Sequence, residues 1–336
     1  MEKLNTKQIM SEAKGRLEGK DTRRMAFLHT GVTVAFALVV TLLQHGLELG
    51  IGSTGGLSGL GTRSILQTMQ TVLQWANMIL APFWNLGFLY VAMLWARDQY
   101  ARKEDLLTGF RRVGPCIGLL LNRFMISFCV IFLCTNVCST VYLITPAGQA
   151  MQKLMLSLGS MDAYYSYMNS LSQQELMALA GTAMPLLILS GLFSAVLLVP
   201  LLYRFRLAEY AILNQKGVRA LPAMIISAYL MRRRCFQLFK LDLRLWWYYG
   251  LKVLCMLLCY LDLLLAAAGI TLPMVGDGGY FATYILYLVA LLAVETAFRP
   301  RVETAYAGVY EAFVAMGPVQ KKQVPVKPQD MPWNTQ

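Results

Sequence analysis

Long apolar segments, separated by shorter polar ones, recur along the whole chain. Each is about as long as a helix that crosses the hydrocarbon core of a bilayer, which needs about 20 mostly apolar residues. The pattern therefore predicts an all-α fold: a polytopic membrane helix bundle of about six transmembrane helices, within a membrane domain over residues 25–316. The six predicted spans cover residues 25–47, 65–96, 114–144, 176–203, 245–272 and 280–298.

Three regions outside these spans differ in their patterns. Residues 1–24 carry seven basic side chains and an amphipathic stretch, which predicts a cytoplasmic amphipathic basic segment. The outer loop over residues 145–175 repeats apolar residues every three or four positions, which predicts an amphipathic helix at the membrane surface. Residues 317–336 contain four prolines, which is typical of a disordered tail, here a cytoplasmic one.

The composition supports the membrane class, and the basic residues set the orientation. Of the 336 residues, 57% are apolar and 14% charged, whereas soluble globular proteins average about 45–50% and about 25%. The net charge is +12, and 26 of the 30 Lys and Arg residues lie before the first span, in the second and fourth loops, or after the last span. The positive-inside rule then places both termini in the cytoplasm. The charge is mainly an orientation signal, and we expect no nucleic-acid partner.

Catalytic and metal-binding motifs are missing from the sequence. The two histidines, His29 and His45, lie in the first span, so no later helix offers a histidine base for a serine nucleophile. The strings H-E-x-x-H and G-x-x-x-x-G-K are absent as well. The seven cysteines fall in spans or in an inner loop, where thiols stay reduced. We therefore expect no enzyme activity, no cofactor and no bound metal.

The fifth predicted span carries a polar stripe among apolar residues. Its members are three or four residues apart, which places them on one helical face. They are Tyr248, Lys252, Cys255, Cys259 and Asp262. We expect this face to point inward and the leucine-rich remainder to face lipid. Asp262 is the strongest single candidate for a functional charge. Lys252 lies about 15 Å from it along the helix axis, too far for a direct ion pair.

The second predicted span carries a matching stripe of amides at Gln67, Gln70, Gln74 and Asn77. One interpretation is hydrogen bonding between helices, because amides often bridge spans. The other is a polar seam between spans 2 and 5 that conducts a small polar solute, an ion or a lipid headgroup. Arg123 and Glu295 lie within roughly three turns of the cytoplasmic face and can snorkel to it. The candidate intramembrane polar site consists of Asp262, Lys252, Gln70, Gln74, Asn77 and Arg123.

A basic cluster followed by an aromatic cluster precedes the fifth span. Near an anionic leaflet each basic residue contributes about 1 kcal/mol of attraction, and Trp and Tyr concentrate at headgroup depth. Asp242 lies between Lys240 and Arg244 and can orient the cluster. The cluster is either an interfacial anchor or a dedicated site for lipid headgroups or a partner. Its candidate residues are Arg232, Arg233, Arg234, Asp242, Trp246 and Trp247.

The same region carries a resemblance to a known family. Residues 227–243 read S-A-Y-L-M-R-R-R-C-F-Q-L-F-K-L-D-L, and two tryptophans follow. This segment resembles the hallmark of a bacterial family of integral membrane proteins filed as domain of unknown function 975, in which S-x-x-L-M, a basic knot and L-F-x-L-D-L lead into a span that bears Trp. The resemblance implies a multi-pass protein of the bacterial plasma membrane, and it implies no particular chemistry.

Two functions remain open at this point. The first is a non-enzymatic scaffold or accessory subunit that contacts anionic lipid of the inner leaflet or partner proteins. Its support is the basic inner belt and the aromatic cluster. The alternative is a transporter or permease component, with a membrane protein or an ATPase as partner. Its support is the pair of polar stripes and Asp262.

Overall fold

The protein folds into helices over the residues that its computed structural model describes, namely 5–53, 60–158, 172–215, 217–261 and 277–317, with Ser166 and Ser170. No strand occurs among these residues, and five helices are each long and apolar enough to cross a membrane. The predicted all-α polytopic membrane helix bundle is therefore confirmed. The α-helices are α1 Thr6–Leu17, α2 Thr22–Ser53, α3 Leu60–Ala96, α4 Thr108–Arg111, α5 Val113–Ile144, α6 Pro146–Leu158, α7 Gln173–Arg204, α8 Ala208–Asn214, α9 Ala220–Leu230, α10 Cys235–Arg244, α11 Trp246–Cys259 and α12 Asp277–Met316.

The helices match most of the predicted spans and extend two of them. The first four spans fall within α2, α3, α5 and α7, and α2 continues beyond its predicted end to Ser53. The last predicted span ends at residue 298, two residues before Pro300, which lacks the backbone N–H that a helix interior uses. Instead α12 runs through Pro300. Burial stabilises this extension, since buried side chains recur every three or four residues at Val302, Tyr306, Val309 and Phe313.

The fifth predicted span begins with the short helix α11. Another short helix, α10, ends just before it, and the two meet at Leu245. Helix α11 has 14 residues, fewer than a complete span needs. The second half of the predicted span, including Asp262, lies outside the described residues. So do the predicted tail from residue 318 onward and most of the outer loop after α6.

One compact unit comprises Met1–Ile117 and Leu207–Gln336. In it α12 packs against α1, α2, α3 and α11, while α3 packs against α2, α4, α8 and the 3₁₀ helix Lys103–Leu107. The core lies where α2 begins and α3 ends, which is the end of these helices with basic flanking residues. We call it the basic end. A central cluster of the core consists of Met25, Ala26, Phe88, Val91, Trp95 and Leu106.

Two glycines allow the loop after α3 to pack closely on that helix. A Cβ on Gly87 would overlap the backbone oxygen of Leu106, and a Cβ on Gly109 would overlap that of Phe83. Only a residue without a side chain fits such an approach. The close contact seats Leu106, which is 1% exposed, in the core of the basic end.

The second unit, Gly118–Arg206, contains most of α5 together with α6 and α7. Its two long helices expose many large apolar side chains, as a lipid-facing surface requires. On α5, three exposed phenylalanines stack in a ladder, with ring centroids 6.2 Å and 6.0 Å apart. These are Phe124, Phe128 and Phe132.

Four arginines donate hydrogen bonds to backbone carbonyls at the carboxyl ends of helices. The last carbonyls of a helix have no partner within the helix and carry partial negative charge. In each of four places an arginine donates a hydrogen bond to such a carbonyl or to the residue just after the helix. The pairs are Arg16 with Ala96 of α3, Arg112 with Ile212 of α8, Arg234 with Phe313 of α12, and Arg123 with Phe205 after α7.

Candidate functional site

A buried carboxylate on α12 joins that helix to α11. The side chain of Glu295 is 6% exposed, and its Oε1 lies 2.8 Å from Nζ of Lys252. The same oxygen accepts a hydrogen bond of 3.0 Å from the hydroxyl of Tyr248. Its Oε2 lies 3.5 Å from Nε of Arg299, one turn further along α12. Two cations thus share one carboxylate, which compensates the cost of burying it.

Arg299 extends the network to α2 and α3. Its guanidinium donates a hydrogen bond of 3.0 Å to Oδ1 of Asn85 and lies 3.2 Å, through Nη1, from Nδ1 of His29. It also sits over the ring of Phe88, 4.6 Å from the centroid. Three helices therefore meet at this one side chain.

The surroundings of His29 fix its tautomer. The residue is completely buried, and its ring stacks on that of Trp84 at 5.0 Å. Because a guanidinium only donates, Nδ1 of His29 accepts from Arg299, and Nε2 carries the proton that it donates to the carbonyl of Trp84 at 3.2 Å. The Trp84 indole donates back to the carbonyl of His29 at 2.9 Å. His29 is thus a neutral acceptor that orients Arg299.

This network changes the interpretation of the predicted polar stripes. The stripe on α11 faces inward over its described part, since Tyr248 and Cys255 are buried while Val253 and Leu254 are 58% exposed. The partner of Lys252, however, is Glu295, for which the sequence predicts a side chain that snorkels to the cytoplasmic face. Among the described residues, Asn85 of α3 and Lys252 of α11 both contact α12, at Arg299 and at Glu295. The polar seam between spans 2 and 5 stays a prediction.

The structure describes only two of the other members of the predicted intramembrane site in full, Gln70 and Arg123. Gln70 is half-buried in α3. Gln74 and Asn77 belong to the same helix, but their side chains lie outside what the structure describes, as does Asp262. Arg123, in the second unit, donates to the carbonyl of Phe205 at 2.9 Å.

The basic and aromatic residues around α10 form an exposed surface. Leu238 and Leu241 are buried beneath the helix. The opposite face shows apolar residues at spacings of three and four, with Phe236 66%, Phe239 48% and Leu243 60% exposed. We call the exposed set the basic–aromatic surface. Its members are Arg232, Arg233, Phe236, Phe239, Lys240, Leu243 and Trp246.

Two contacts tie charge to aromatic rings on this surface. Nζ of Lys240 lies 4.9 Å from the ring centroid of Phe236, and the rings of Phe236 and Phe239 stack at 6.3 Å. Trp246, at the start of α11, is 68% exposed. Its neighbour Trp247 is less exposed and packs edge-on against Phe298 at 4.9 Å. Of the two tryptophans, Trp246 is therefore the one on the surface.

Arg234 departs from the prediction that the three consecutive arginines lie together among lipid phosphates. Arg232 and Arg233 are exposed, but Arg234 is 6% exposed. It donates to the carbonyl of Phe313 at 3.2 Å and stacks on that ring at 5.1 Å. Burial lowers its pKa below the usual arginine value. The turn at Arg233, with φ of 62°, directs the neighbouring arginines to different sides.

Asp242 contacts the body of the protein through a tyrosine on α12. It accepts a hydrogen bond from the hydroxyl of Tyr306, and that hydroxyl lies 2.6 Å from the hydroxyl of Tyr249. Burial raises the pKa of Asp242 to about 6, and the bond from Tyr306 opposes part of that rise. The sequence predicts an interaction of Asp242 with Lys240 and Arg244, its neighbours in the chain, whereas Tyr306 lies 64 positions away.

The described residues offer no group of three His, Cys, Asp or Glu side chains that could hold a metal ion. Their chemistry is that of a buried ion network and of a surface that combines positive charge with apolar rings. No model of a protein family, no curated protein and no solved structure matches the chain.

Proposed function

We propose that this multi-pass membrane protein is a non-enzymatic scaffold or accessory subunit whose basic–aromatic surface contacts anionic lipid. One observation carries the proposal: α10 exposes apolar rings on one face, and basic side chains accompany them. Phe236, Phe239 and Trp246 supply the apolar contacts, while Arg232 and Lys240 are exposed next to them. A helix of this kind lies in the plane of the interface, with its apolar face among the acyl chains and its charges among phosphates.

The electrostatic attraction expected between this surface and an anionic leaflet is large enough to favour anionic over neutral lipids. Each Lys or Arg near an anionic surface contributes about 1 kcal/mol. Arg232, Arg233 and Lys240 together should therefore favour an anionic leaflet by about 3 kcal/mol. The surface lies largely within the segment that resembles the bacterial family described above. We propose membership of that family and a place in the plasma membrane, with both termini cytoplasmic, as part of the same proposal.

The lipids that accompany the protein out of a membrane test this function. We would extract the full chain with polymer nanodiscs from bilayers of equal phosphatidylglycerol and phosphatidylcholine, and measure the ratio of the two lipids. The variant Arg232→Gln/Arg233→Gln/Lys240→Gln should lower the phosphatidylglycerol excess. The matched control Lys7→Gln/Lys14→Gln/Lys103→Gln removes the same charge from α1 and the 3₁₀ helix.

The control should leave most of the excess in place, because its three residues are exposed but lie outside the basic–aromatic surface. Equal losses in the two variants would show that total charge, and not the basic–aromatic surface, attracts the lipid. If the surface variant keeps its phosphatidylglycerol excess but loses a co-purifying protein, the basic–aromatic surface binds a partner protein and not lipid.

A transporter is the second candidate function, and the network around Glu295 favours it. This carboxylate is buried, its Oε2 accepts no hydrogen bond from the described residues, and its partner Lys252 is 43% exposed at the side chain. Ionisable side chains within membrane spans often pair with one another and mark the path of a proton or an ion. The path would run along α12, where it contacts α3 and α11.

Proton flux tests this alternative directly. Proteoliposomes with a pH-sensitive dye inside would be exposed to a step in external pH. If the network conducts, Glu295→Gln should slow the internal response to the rate of empty liposomes, and Glu311→Gln on the same helix should not. Equal rates for the wild type and Glu295→Gln would leave the network with a structural role only.

A further inference from the structure

A groove in the second unit combines two arginines with an apolar track. It has a volume of about 640 Å³, within the range of about 300–1,000 Å³ typical of small-molecule sites. Its walls come from the first half of α5 and from the end of α7 with Arg206, two residues beyond it. The residues that line it are Leu120, Arg123, Phe124, Ser127, Val199, Leu202, Tyr203 and Arg206.

The charged groups of the groove lie at one end. Arg123 is held by its hydrogen bond to the carbonyl of Phe205. The guanidinium of Arg206 sits over the ring of Tyr203, 5.4 Å from the centroid. Among the described residues, the charged side chains that line the groove are the two arginines. An anion is therefore the complementary ligand, and a guanidinium pair is well suited to a phosphate group.

The other end of the groove is apolar and continues into the membrane. Phe124, which lines the groove, is the first ring of the exposed ladder that runs along α5 through Phe128 and Phe132. Val199 stands two turns before Arg206 on the facing wall. Flat apolar rings that follow a helix toward the bilayer interior offer a surface for an acyl chain. A free phosphate would make no use of it.

The depth of the arginines agrees with a lipid headgroup. Helix α5 has 32 residues and is about 48 Å long, longer than the hydrocarbon core of about 30 Å. Arg123 lies ten residues after Val113, or about 15 Å along the helix. Its side chain can reach back to the headgroup layer by snorkelling. Arg206, just after the end of α7, lies at the mouth of the groove.

We propose that this groove binds one anionic phospholipid, with its phosphate at Arg123 and Arg206 and an acyl chain along Phe124 and the rings beyond it. The site shares its lipid chemistry with the basic–aromatic surface but stands on different residues. It would hold a single lipid in a defined place, whereas the surface would enrich many loosely bound ones.

Native mass spectrometry of the full chain tests the site. The purified protein in detergent would be titrated with dioleoyl phosphatidylglycerol, with dioleoyl phosphatidylcholine and with glycerol phosphate. The first lipid should form a one-to-one adduct at the lowest concentration. Phosphatidylcholine, with the same acyl chains but no net charge, should bind about five-fold more weakly. Glycerol phosphate, which has no acyl chain, should form no adduct at the concentrations that saturate phosphatidylglycerol.

Variants assign that adduct to the groove. Arg206→Gln should weaken the first phosphatidylglycerol adduct about five-fold. Arg204→Gln is the matched control, because Arg204 is exposed two residues earlier and does not line the groove. Phe124→Ala should weaken the binding of phosphatidylglycerol and of phosphatidylcholine by the same factor, because both carry the same acyl chains. Thermal unfolding of each variant shows that its fold is intact.

Three results would overturn the proposal. In the first, Arg206→Gln weakens the adduct no more than Arg204→Gln does. In the second, glycerol phosphate binds as tightly as the lipid, which would make this a free-phosphate site. In the third, Arg232→Gln/Arg233→Gln weakens the one-to-one adduct as much as Arg206→Gln does, which would move the lipid to the basic–aromatic surface. Failure of that surface to enrich anionic lipid would leave the groove result unchanged.

Discussion

Replacing Glu295 by glutamine keeps the shape of the side chain and removes the negative charge that Lys252 and Arg299 share. The amide oxygen can still accept from Tyr248, but Lys252 and Arg299 lose a carboxylate at 2.8 Å and 3.5 Å. Removing one partner of a buried ion pair costs about 3–5 kcal/mol. Because 43% of the Lys252 side chain is exposed and screened by solvent, we expect a loss at the lower end, about 3 kcal/mol of unfolding free energy.

Helix α12 provides a matched control for this change. Glu311 pairs with Arg97 at 2.6 Å, but both side chains are about 30% exposed. A pair of this kind contributes about 0–1 kcal/mol, so Glu311→Gln should cost at most about 1 kcal/mol. Equilibrium unfolding in mixed micelles of a mild detergent and SDS measures both variants. A Glu295→Gln variant that is destabilised no more than Glu311→Gln would contradict this prediction.

Three further predictions follow from the packing of the basic end. Gly87→Ala should destabilise the protein by about 3 kcal/mol or more, because the new Cβ would overlap the backbone of the 3₁₀ helix. Gly31→Ala is the control: nothing lies within 4 Å of its new Cβ, so a thermal shift assay should show a neutral or slightly stabilising effect. Asp242 has a pKa of about 6 in the folded protein, above its reference value of 3.8. Between these two pH values the folded state therefore binds more protons than the unfolded state, so the free energy of unfolding should fall as pH rises from about 4 to 6. Asp242→Asn should remove this pH dependence. Arg234→Gln should lower the free energy of unfolding by about 1–3 kcal/mol, because the carbonyl of Phe313 loses its hydrogen-bond donor. Arg232 is exposed, so Arg232→Gln should change the same free energy by no more than about 0.5 kcal/mol in the same unfolding titration.

The periodicity of the sequence was enough to predict which face of a helix points inward. The spacing of Tyr248, Lys252 and Cys255 gives the inner face of α11 correctly, because a helix repeats every 3.6 residues regardless of its neighbours. Periodicity does not say which helix lies opposite. Glu295 follows Lys252 by 43 positions, and only the packed bundle brings the two together.

The basic residues illustrate a second reason why sequence alone falls short. Arginine at the inner end of a span satisfies the positive-inside rule, and arginine at the carboxyl end of a helix satisfies the last carbonyls. Both roles give the same pattern in the chain. The structure separates them: Arg112 and Arg234 donate to helix carbonyls, while Arg232 and Arg233 are exposed.

The close approach at Gly87 belongs to a third kind of feature. Its sequence neighbours, Leu86 and Phe88, predict an ordinary apolar helix, and both are buried. The need for glycine comes from the backbone of Leu106, which returns to α3 after a loop of irregular structure. Contacts between distant backbones leave no periodic signal in the chain.

Photocrosslinking at Phe239 tests the central claim, that the basic–aromatic surface contacts anionic lipid. The full chain would carry p-benzoylphenylalanine in place of Phe239 and, as a matched control, in place of Phe313, which is fully buried. After irradiation in bilayers of mixed phosphatidylglycerol and phosphatidylcholine, intact mass would identify each adduct. We predict a phospholipid adduct, enriched in phosphatidylglycerol, at position 239 and none at 313. A protein adduct at 239, or no adduct at all, would contradict the account.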